Sequence, residues 1–359
     1  MKPIQIAFFL VAMAMFASCS EDKFTEEEAG AYARGFFITN EGPFQNGSGT
    51  VTFVGDDGNV SQGVYRSVNG EDLGNVVNSM HILQDKAFIV VNNSSRIVVA
   101  DRNTMEKLAV IEGDDIHNPR HFIVSRGMGY VSNWGDPFDA GDDFIAVVDL
   151  NNYEVIKRIP VGEGPERMLS TPEGLYVVLQ GGFGFNNQVA LIDTSVNEVT
   201  KNIEVGEVPN SIQADDTGNV WVLCGGVPAW TATETAGALV RINPGDMSTK
   251  AIEFGGTQHP GLLNVDRGQL YYHLDGKVYR MNPGSAELPT ESIEGLDGYY
   301  YSMTVHNGEL YGTEPGDFAS EGSVKVFSLA SGELLSTIPA GIIPGSVVIP
   351  EQLLLLKKD

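Results

Sequence analysis

One short unit recurs along most of the chain, and its spacing constrains the fold more than any other feature. Each clear copy has an apolar strand, a turn and a second strand that ends at Gly, as in Arg96–Gly113, Ile145–Gly162 and Val189–Gly206. Weaker copies centre on 51–56, 239–243, 278–282 and 324–328. The equivalent turn positions lie 39 to 50 residues apart. Repeats of about 40–50 residues with short strands are typical of β-propeller blades.

A second element joins consecutive copies and supplies two more strands. It begins with Gly-x-x-Pro, as at Gly162–Pro165 and Gly206–Pro209, and continues into apolar runs at 175–178 and 220–223. Because stacked blades cover one another, mid-strand residues are apolar on both faces. The pattern predicts an all-β, seven-bladed β-propeller with four-stranded antiparallel blades over residues 35–359, without long helices.

The two ends of this region are each incomplete as blades. Residues 36–38 form a second strand with no first strand before it, whereas 346–349 and 353–356 follow the last complete unit. We therefore predict that the C-terminal segment completes the first blade and closes the ring. The sequence leaves open which of its two apolar runs pairs there.

The N-terminal segment has the pattern of an export signal. Lys2 precedes an apolar run of about thirteen residues, too short to span a bilayer, which ends in Phe16-Ala17-Ser18-Cys19. The last four residues resemble a lipobox, so residues 1–18 are predicted as a lipoprotein signal peptide and Cys19 as the lipidation site. An ordinary signal peptide with an incidental Cys is the alternative. Residues 19–34 form an acidic tether that resembles an export tag, which predicts a lipid-anchored protein of the outer membrane facing the exterior.

Charge and cysteine content exclude several classes of function. The formal net charge is −25, and such a surface repels phosphate backbones, so nucleic acid is not an expected partner. Apart from Cys19, the only cysteine is Cys224, inside an apolar run, where it is expected to be a small buried residue. Neither a disulfide framework nor a cysteine metal site can be built.

The loops predicted between second and third strands carry large aromatic residues beside Asn, Asp or Gly. They share one face of a propeller with the fourth-to-first loops, which add cationic and Tyr side chains. Loop aromatics remain in water unless they pack locally or bind something, so a ligand-binding rim is predicted; local packing over the blade tops is the alternative. The candidate residues are Phe44, Asn93, Arg120, Trp134, Phe138, Arg167, Phe183, Phe185, Trp230, Tyr300 and Phe318.

Catalytic and metal-binding patterns are weak in this sequence. His117 and His121 are four residues apart, but the Asn-Pro pair between them excludes one helix face that carries both. No catalytic residue, metal ligand or cofactor is therefore predicted. One enzymatic alternative remains, a lactonase or lyase with an axial Ca²⁺, for which Glu41, Asn78 and Asn210 are the candidate ligands.

Several segments resemble a known family of surface propellers. These segments are Gly35–Gly42, Gly47–Val51, Leu73–Met80 and Val90–Ser94. They resemble the surface lipoproteins of the BtuG vitamin B12-capturing family and, more widely, the YncE-like propellers with YVTN-type repeats. The resemblance implies capture of cobalamin or a similar bulky nutrient outside the cell, as a bound ligand and not a cofactor, and delivery to a TonB-dependent outer-membrane transporter. A protein- or glycan-binding scaffold at the cell surface is the alternative without small-molecule binding.

Overall fold

The computed structural model describes residues 30–44, 47–136 and 138–350, and these form a seven-bladed β-propeller. Seven antiparallel sheets are arranged around an axis, and the first strands of neighbouring blades contact one another in a ring. This confirms the predicted all-β propeller. The predicted signal peptide, Cys19 and the run 353–356 lie outside the described residues.

The strands are numbered along the chain, and within each blade they are counted outward from the axis. Blade 1 contains β1 (Gly35–Asn40), β2 (Thr50–Gly55) and β3 (Val60–Ser61) as its second to fourth strands. Blade 2 contains β4 (Val77–Leu83), β5 (Lys86–Val91), β6 (Arg96–Asp101) and β7 (Lys107–Glu112). Blade 3 contains β8 (Pro119–Ser125), β9 (Met128–Asn133), β10 (Phe144–Asp149) and β11 (Glu154–Pro160).

The remaining blades follow in sequence order. Blade 4 contains β12 (Pro165–Thr171), β13 (Gly174–Leu179), β14 (Gln188–Asp193) and β15 (Glu198–Glu204). Blade 5 contains β16 (Pro209–Ala214), β17 (Val220–Cys224), β18 (Ala238–Ile242) and β19 (Thr249–Glu253). Blade 6 contains β20 (Gly261–Asp266), β21 (Gln269–Leu274) and β22 (Lys277–Met281). Blade 7 contains β23 (Ser302–His306), β24 (Glu309–Glu314), β25 (Glu321–Ser328) and β26 (Leu334–Ile342), and β27 (Pro344–Val348) returns to blade 1.

The ring closes in blade 1, as predicted. β27 is the first strand of this blade and pairs antiparallel with β1, with Phe37 opposite Val348 and Ile38 opposite Val347. The buried side chain of Asn40 reinforces the closure, because its Oδ1 accepts a hydrogen bond from the Gly341 N–H at 2.9 Å. The run at 346–349 therefore contributes to the closing strand.

Blade 6 departs from the predicted pattern because its sheet has three strands in the described part of the chain. Residues 282–301 connect it to blade 7 without a fourth strand. Two backbone bonds, from Ile293 N to Val278 O at 2.8 Å and from Gly298 N to Gly276 O at 2.9 Å, tie this connection to β22 and to the turn before it. The sequence reason is composition, since Pro, Gly and acidic residues interrupt this segment. The described chain also has a short helix, α1 (Val64–Asn69), between blades 1 and 2, in keeping with the prediction of no long helices.

Apolar side chains between neighbouring blades form the core. Phe88 of blade 2 stacks on Phe122 of blade 3 with ring centroids 4.3 Å apart, and Trp221 of blade 5 is buried with its Nε1 donating to Asp215 Oδ2 at 2.8 Å. Cys224 is buried, as its apolar surroundings predict. No helix among the described residues is both long and apolar enough to cross a membrane.

The propeller has an upper and a lower face, which are formed by different sets of loops. The upper face is formed by the loops between second and third strands and by the connections between blades; the lower face carries the other turns. Residues 30–34 lie against the lower face, where Tyr32 N donates to Asn103 O at 2.8 Å and Asp56 N donates to Arg34 O at 3.2 Å. The chain therefore enters the propeller on the face opposite the predicted binding loops.

Candidate functional site

The first strands begin with bulges that point side chains at the axis near the upper face. Pairing with the second strand shifts register between Pro119 and Phe122, between Pro165 and Met168, and between Pro209 and Ser211. A bulge breaks strict alternation, so consecutive side chains leave the strand on one side. The Gly-x-x-Pro motif thus places the residues that follow Pro at the mouth of the central channel.

A buried charged cluster occupies the bulges of blades 3 and 4. The carboxylate of Glu166 accepts from Arg120 Nε at 2.9 Å and lies 3.3 Å from His121 Nε2. Burial of Glu166 opposes its ionisation, but the charge of Arg120 and the contact with His121 outweigh burial and lower its pKa. Burial lowers the pKa of His121 more than Glu166 raises it, which keeps the imidazole neutral near pH 7. Glu166 and Arg120 therefore form the ionised pair.

Arg120 also supports an aromatic group above this cluster. Its guanidinium carbon lies 4.4 Å from the centroid of the Trp134 ring, which is a cation–π contact. Trp134 meets Phe183 edge to face at 6.0 Å, and Phe138 lies 5.6 Å from Phe183. The loops of blades 3 and 4 thus present three aromatic side chains, of which Phe183 contacts the other two. The Trp134 Nε1 is buried without a hydrogen-bond partner among the described residues.

A second group lies at the junction of blades 7 and 1. The Tyr301 hydroxyl donates to Glu41 Oε1 at 2.9 Å, and the Tyr301 ring meets Phe318 edge to face at 5.8 Å. Burial raises the pKa of Glu41, although the Tyr301 hydroxyl and the charge of Arg120 act in the opposite direction.

Most of the predicted rim aromatics are exposed on the upper face. Their exposed fractions run from 43% to 88%, for Phe44, Phe138, Phe183, Phe185, Trp230 and Phe318. Such fractions exclude the alternative in which these rings fold down as local core. Asn93 is also exposed and donates from Nδ2 to Asn75 Oδ1 at 2.8 Å. We define the aromatic arc as Phe318, Tyr301, Trp134, Phe138 and Phe183, which the loops of blades 7, 3 and 4 carry around the channel mouth.

Tyr300 corrects the sequence prediction. Its ring is buried, and its hydroxyl donates to Leu296 O at 3.1 Å inside blade 6–7 packing. Its neighbours Tyr299 and Tyr301 are the exposed residues of this run. The prediction of an exposed rim position for Tyr300 is therefore wrong, because the extended chain turns alternate side chains in opposite directions.

The central channel contains a cavity of about 470 Å³, whose lining includes His121 of the charged cluster but no residue of the aromatic arc. All seven first strands contribute to its wall, and Arg167 is among the lining residues. Arg167 is thus part of the channel wall and not of the aromatic arc, whereas Arg120, which the sequence placed in the same set, contacts Trp134.

The three candidate Ca²⁺ ligands already have hydrogen-bond partners. Glu41 accepts from Tyr301, Asn78 Nδ2 donates to Arg120 O at 2.6 Å, and Asn210 Nδ2 donates to Pro260 O at 3.0 Å. Within residues 30–350, excluding 45–46 and 137, no group of three or more His, Cys, Asp or Glu side chains is placed to hold a metal ion. The lactonase alternative therefore gains no acidic or histidine ligand set from the described residues.

Glu166 is the residue of this site that sequence reasoning missed. Glu166 directly follows Pro165 of the Gly-x-x-Pro motif and precedes Arg167, a predicted site residue. Arg120 follows Pro119 and Asn210 follows Pro209 in the same way. Aligning the repeats on that proline would have brought Arg120 and Glu166 into register on neighbouring blades. A charge pair of opposite sign at equivalent positions is the signal that was available.

Comparisons with known proteins agree with this architecture. At 14% identity, a functionally unknown protein from Desulfotomaculum acetoxidans has a TM-score of 0.60 over 88% of this chain and 98% of that chain. The computationally designed Ika8 protein has 0.59 at 10% identity over 88% and 87% of the two chains, and apo AztD from Citrobacter koseri has 0.52 at 13% identity over 87% and 96%. At such identities the likeness shows the fold alone.

Sequence comparison gives a family without an assigned activity. No curated protein matches the chain. Residues 34–285 match the model of a domain of unknown function, DUF5074, which spans more than half of the chain and most of its blades. The protein is thus a seven-bladed propeller that belongs to the DUF5074 family.

Proposed function

We propose that the upper face binds a bulky nutrient outside the cell, and that this ligand is cobalamin or a related corrinoid. The observation that carries the proposal is the aromatic arc on the upper face, in which Phe138, Phe183, Tyr301 and Phe318 are exposed and Trp134 is half-buried beneath them. Three such rings could bury on the order of 500 Å² against a ligand, roughly 12 kcal/mol before the costs of association. A broad ligand with apolar faces would use this area.

Polar groups at the mouth suit the edges of such a ligand. The guanidinium of Arg120 offers donors besides the Nε that binds Glu166, Glu41 offers acceptor capacity, and the Tyr301 oxygen can accept while its hydrogen is donated to Glu41. Corrinoids carry amide side chains around a flat macrocycle, and amides both donate and accept. A face with rings flanked by mixed donors and acceptors matches that chemistry.

The position of the N-terminal segment supports capture from outside. Residues 30–34 lie against the lower face, so a lipid anchor at Cys19 would leave the upper face directed away from the membrane. We propose that the ligand is held there and then passed to a TonB-dependent outer-membrane transporter. The resemblance to surface lipoproteins of the BtuG family supports the same assignment.

Isothermal titration with cyanocobalamin tests the proposal. The protein from residue 20 onward is titrated beside the triple variant Trp134→Ala, Phe138→Ala, Phe183→Ala. Binding by the parent protein and its loss in the triple variant are expected. Absence of heat at micromolar concentrations of both components would refute corrinoid capture.

One observation favours a second candidate, a scaffold for a protein or glycan partner. Trp230 is 86% exposed on a loop of blade 5 and makes no ring contact in the described chain, so it lies apart from the aromatic arc. A partner that also covers Trp230 would be larger than one macrocycle. Co-purification with an outer-membrane complex, lost in Trp230→Ala and accompanied by no cyanocobalamin binding, would favour this function.

A further inference from the structure

The central channel has a charge character opposite to that of the whole protein. The chain carries 47 acidic and 22 basic residues. The described residues that line the channel cavity nevertheless include Arg167 and two His and no Asp or Glu. An acid-free wall around one guanidinium is unexpected in a chain of this composition.

Arg167 has no hydrogen bond and no ion pair in the described part of the protein, and its side chain is only partly exposed. The adjacent carboxylate of Glu166 is held by Arg120 at 2.9 Å and His121 at 3.3 Å. Arginine stays protonated in proteins. The channel therefore contains a guanidinium with no ion pair of its own. The nearby charge of Glu166 stabilises it and that of Arg120 opposes it, while burial makes the charged form costly without a further counter-ion.

Further donors line the same cavity on other blades. The hydroxyls of Ser302 and Ser346 donate to no group of the described chain, whereas the backbone N–H groups of both residues are bonded to Thr313 and Thr39. Most channel amides are already engaged, as in Asn264 Nδ2 to Met303 O at 3.0 Å. The hydroxyls of Ser302 and Ser346 are therefore available as donors to a bound group in this wall.

We propose that the channel binds an oxyanion, a carboxylate or phosphate group, on the guanidinium of Arg167, with the hydroxyls of Ser302 and Ser346 as additional donors. The planar fork of an arginine matches both groups by two parallel hydrogen bonds. The volume of about 470 Å³ admits a small organic acid or a phosphate ester. This site is separate from the aromatic arc and does not depend on corrinoid binding.

Thermal unfolding with inorganic phosphate or succinate tests the site, with NaCl at equal ionic strength as the reference. A ligand that binds only the folded state raises Tm. The wild-type protein is expected to gain several degrees in 10 mM phosphate or succinate over NaCl. Arg167→Gln is expected to lose this gain, and Arg66→Gln, which removes an exposed arginine paired with Asp72, is expected to keep it.

The anion-free measurement separates binding from packing. Arg167→Gln is expected to unfold at the wild-type Tm or above it, because an unpaired charge has been removed. A lower Tm together with a retained phosphate response would assign Arg167 to packing and overturn the proposal, as would a wild-type response no larger than that to NaCl. Should Arg167→Gln fail to fold, Arg167→Lys keeps the charge, loses the fork and is expected to give a weaker phosphate response.

Competition identifies the source of the anion. Cyanocobalamin contains a phosphodiester, so a ligand on the upper face could extend that group into the channel. Phosphate that weakens cyanocobalamin binding in wild type but not in Arg167→Gln supports the ligand's own phosphodiester as the occupant; binding of phosphate without competition supports a free anion. Failure of corrinoid binding leaves the Tm response unaffected, so the two proposals fail separately.

Discussion

The guanidinium carbon of Arg120 lies 4.4 Å from the centre of the Trp134 ring, which couples the buried charges of the channel mouth to the exposed aromatic arc. Removal of the Trp134 ring should therefore remove contact area for the ligand and also the group that orients the Arg120 guanidinium. For Trp134→Ala we expect cyanocobalamin affinity to fall about 10- to 100-fold, which corresponds to roughly 1.4–2.7 kcal/mol. Isothermal titration measures the change.

A matched truncation on the outer edge of blade 7 provides the control for that variant. Leu335 is half exposed on β26, far from the loops of the upper face. Leu335→Ala should bind cyanocobalamin as the parent does. Equal losses in both variants would show that Trp134 contributes to stability and not to the ligand site.

The Arg120–Glu166 pair should matter for stability as well as for the site. In Glu166→Gln the guanidinium of Arg120 keeps its position but loses its counter-charge. A buried pair that loses one partner is destabilised, and we expect about 3 kcal/mol in the free energy of unfolding from urea titration at pH 7. Glu198→Gln, which removes an exposed carboxylate 3.7 Å from Lys157, should change it by less than about 0.5 kcal/mol.

The pH dependence of this effect has a definite sign. The pKa of Glu166 is lower in the folded protein than in the unfolded chain, so its stabilisation is present above the unfolded pKa and is lost as pH falls through the folded value. The difference in the free energy of unfolding between wild type and Glu166→Gln should therefore become smaller at acid pH. A difference that grows toward acid pH would contradict the ionised pair.

Asp143 should change the pH dependence of stability with the sign opposite to that of Glu166. Burial raises its pKa to about 7, together with the charges of Asp142 and Glu163, although the Gly164 N–H at 2.6 Å acts against the rise. A raised pKa gives stability that is complete below the unfolded value and is lost as pH rises to about 7. Asp143→Asn should thus be more stable than wild type at pH 8 by at least about 1 kcal/mol. At pH 3.5 the advantage should be absent, and urea titrations at both pH values decide this.

Asn40 should be important for closure of the ring. Its Nδ2 donates to Thr50 Oγ1 and Thr52 Oγ1, each at 3.1 Å, and its Oδ1 accepts from the Gly341 N–H. Asn40→Ala leaves buried donors and acceptors unpaired, so a loss of about 2 kcal/mol or more in unfolding free energy is expected. Asn93→Ala, on the exposed rim, should cost less than about 0.5 kcal/mol. Equal losses of unfolding free energy in Asn40→Ala and Asn93→Ala would argue against a role of Asn40 in closing the ring.

The fold could be predicted from sequence because its signal is repeated. Seven copies with similar spacing constrain the architecture even where one copy is weak, and the missing first strand before Phe37 required a partner from the far end. Blade 6 could not be foreseen in detail, since a fourth strand is marginal once Pro and Gly interrupt it. The number of blades depends on all the repeats, whereas a single outer strand depends on local composition.

The site was predictable in its loops and less so in its bulges. Exposed rings such as Phe138 and Trp230 follow from large aromatics in polar loops, but the directions of Tyr300, Glu166 and Arg167 do not. Within a regular strand, period two assigns each side chain to a face. A bulge breaks that period, so neighbouring residues in the same motif enter different environments: Glu166 meets Arg120, and Arg167 meets the channel.

Asn40 and Gly341 are hydrogen-bonded across 301 positions of the chain. Until β27 is synthesised and pairs with β1, blade 1 therefore lacks its first strand, and the inner edge of β1 has unsatisfied backbone groups with which another strand can pair. Blades 2 to 7 can form from neighbouring segments, so joining the first blade is expected to be the last step of folding. A polypeptide that ends before Pro344 would keep the inner edge of β1 unpaired. Truncation at the C-terminal end is therefore expected to promote aggregation.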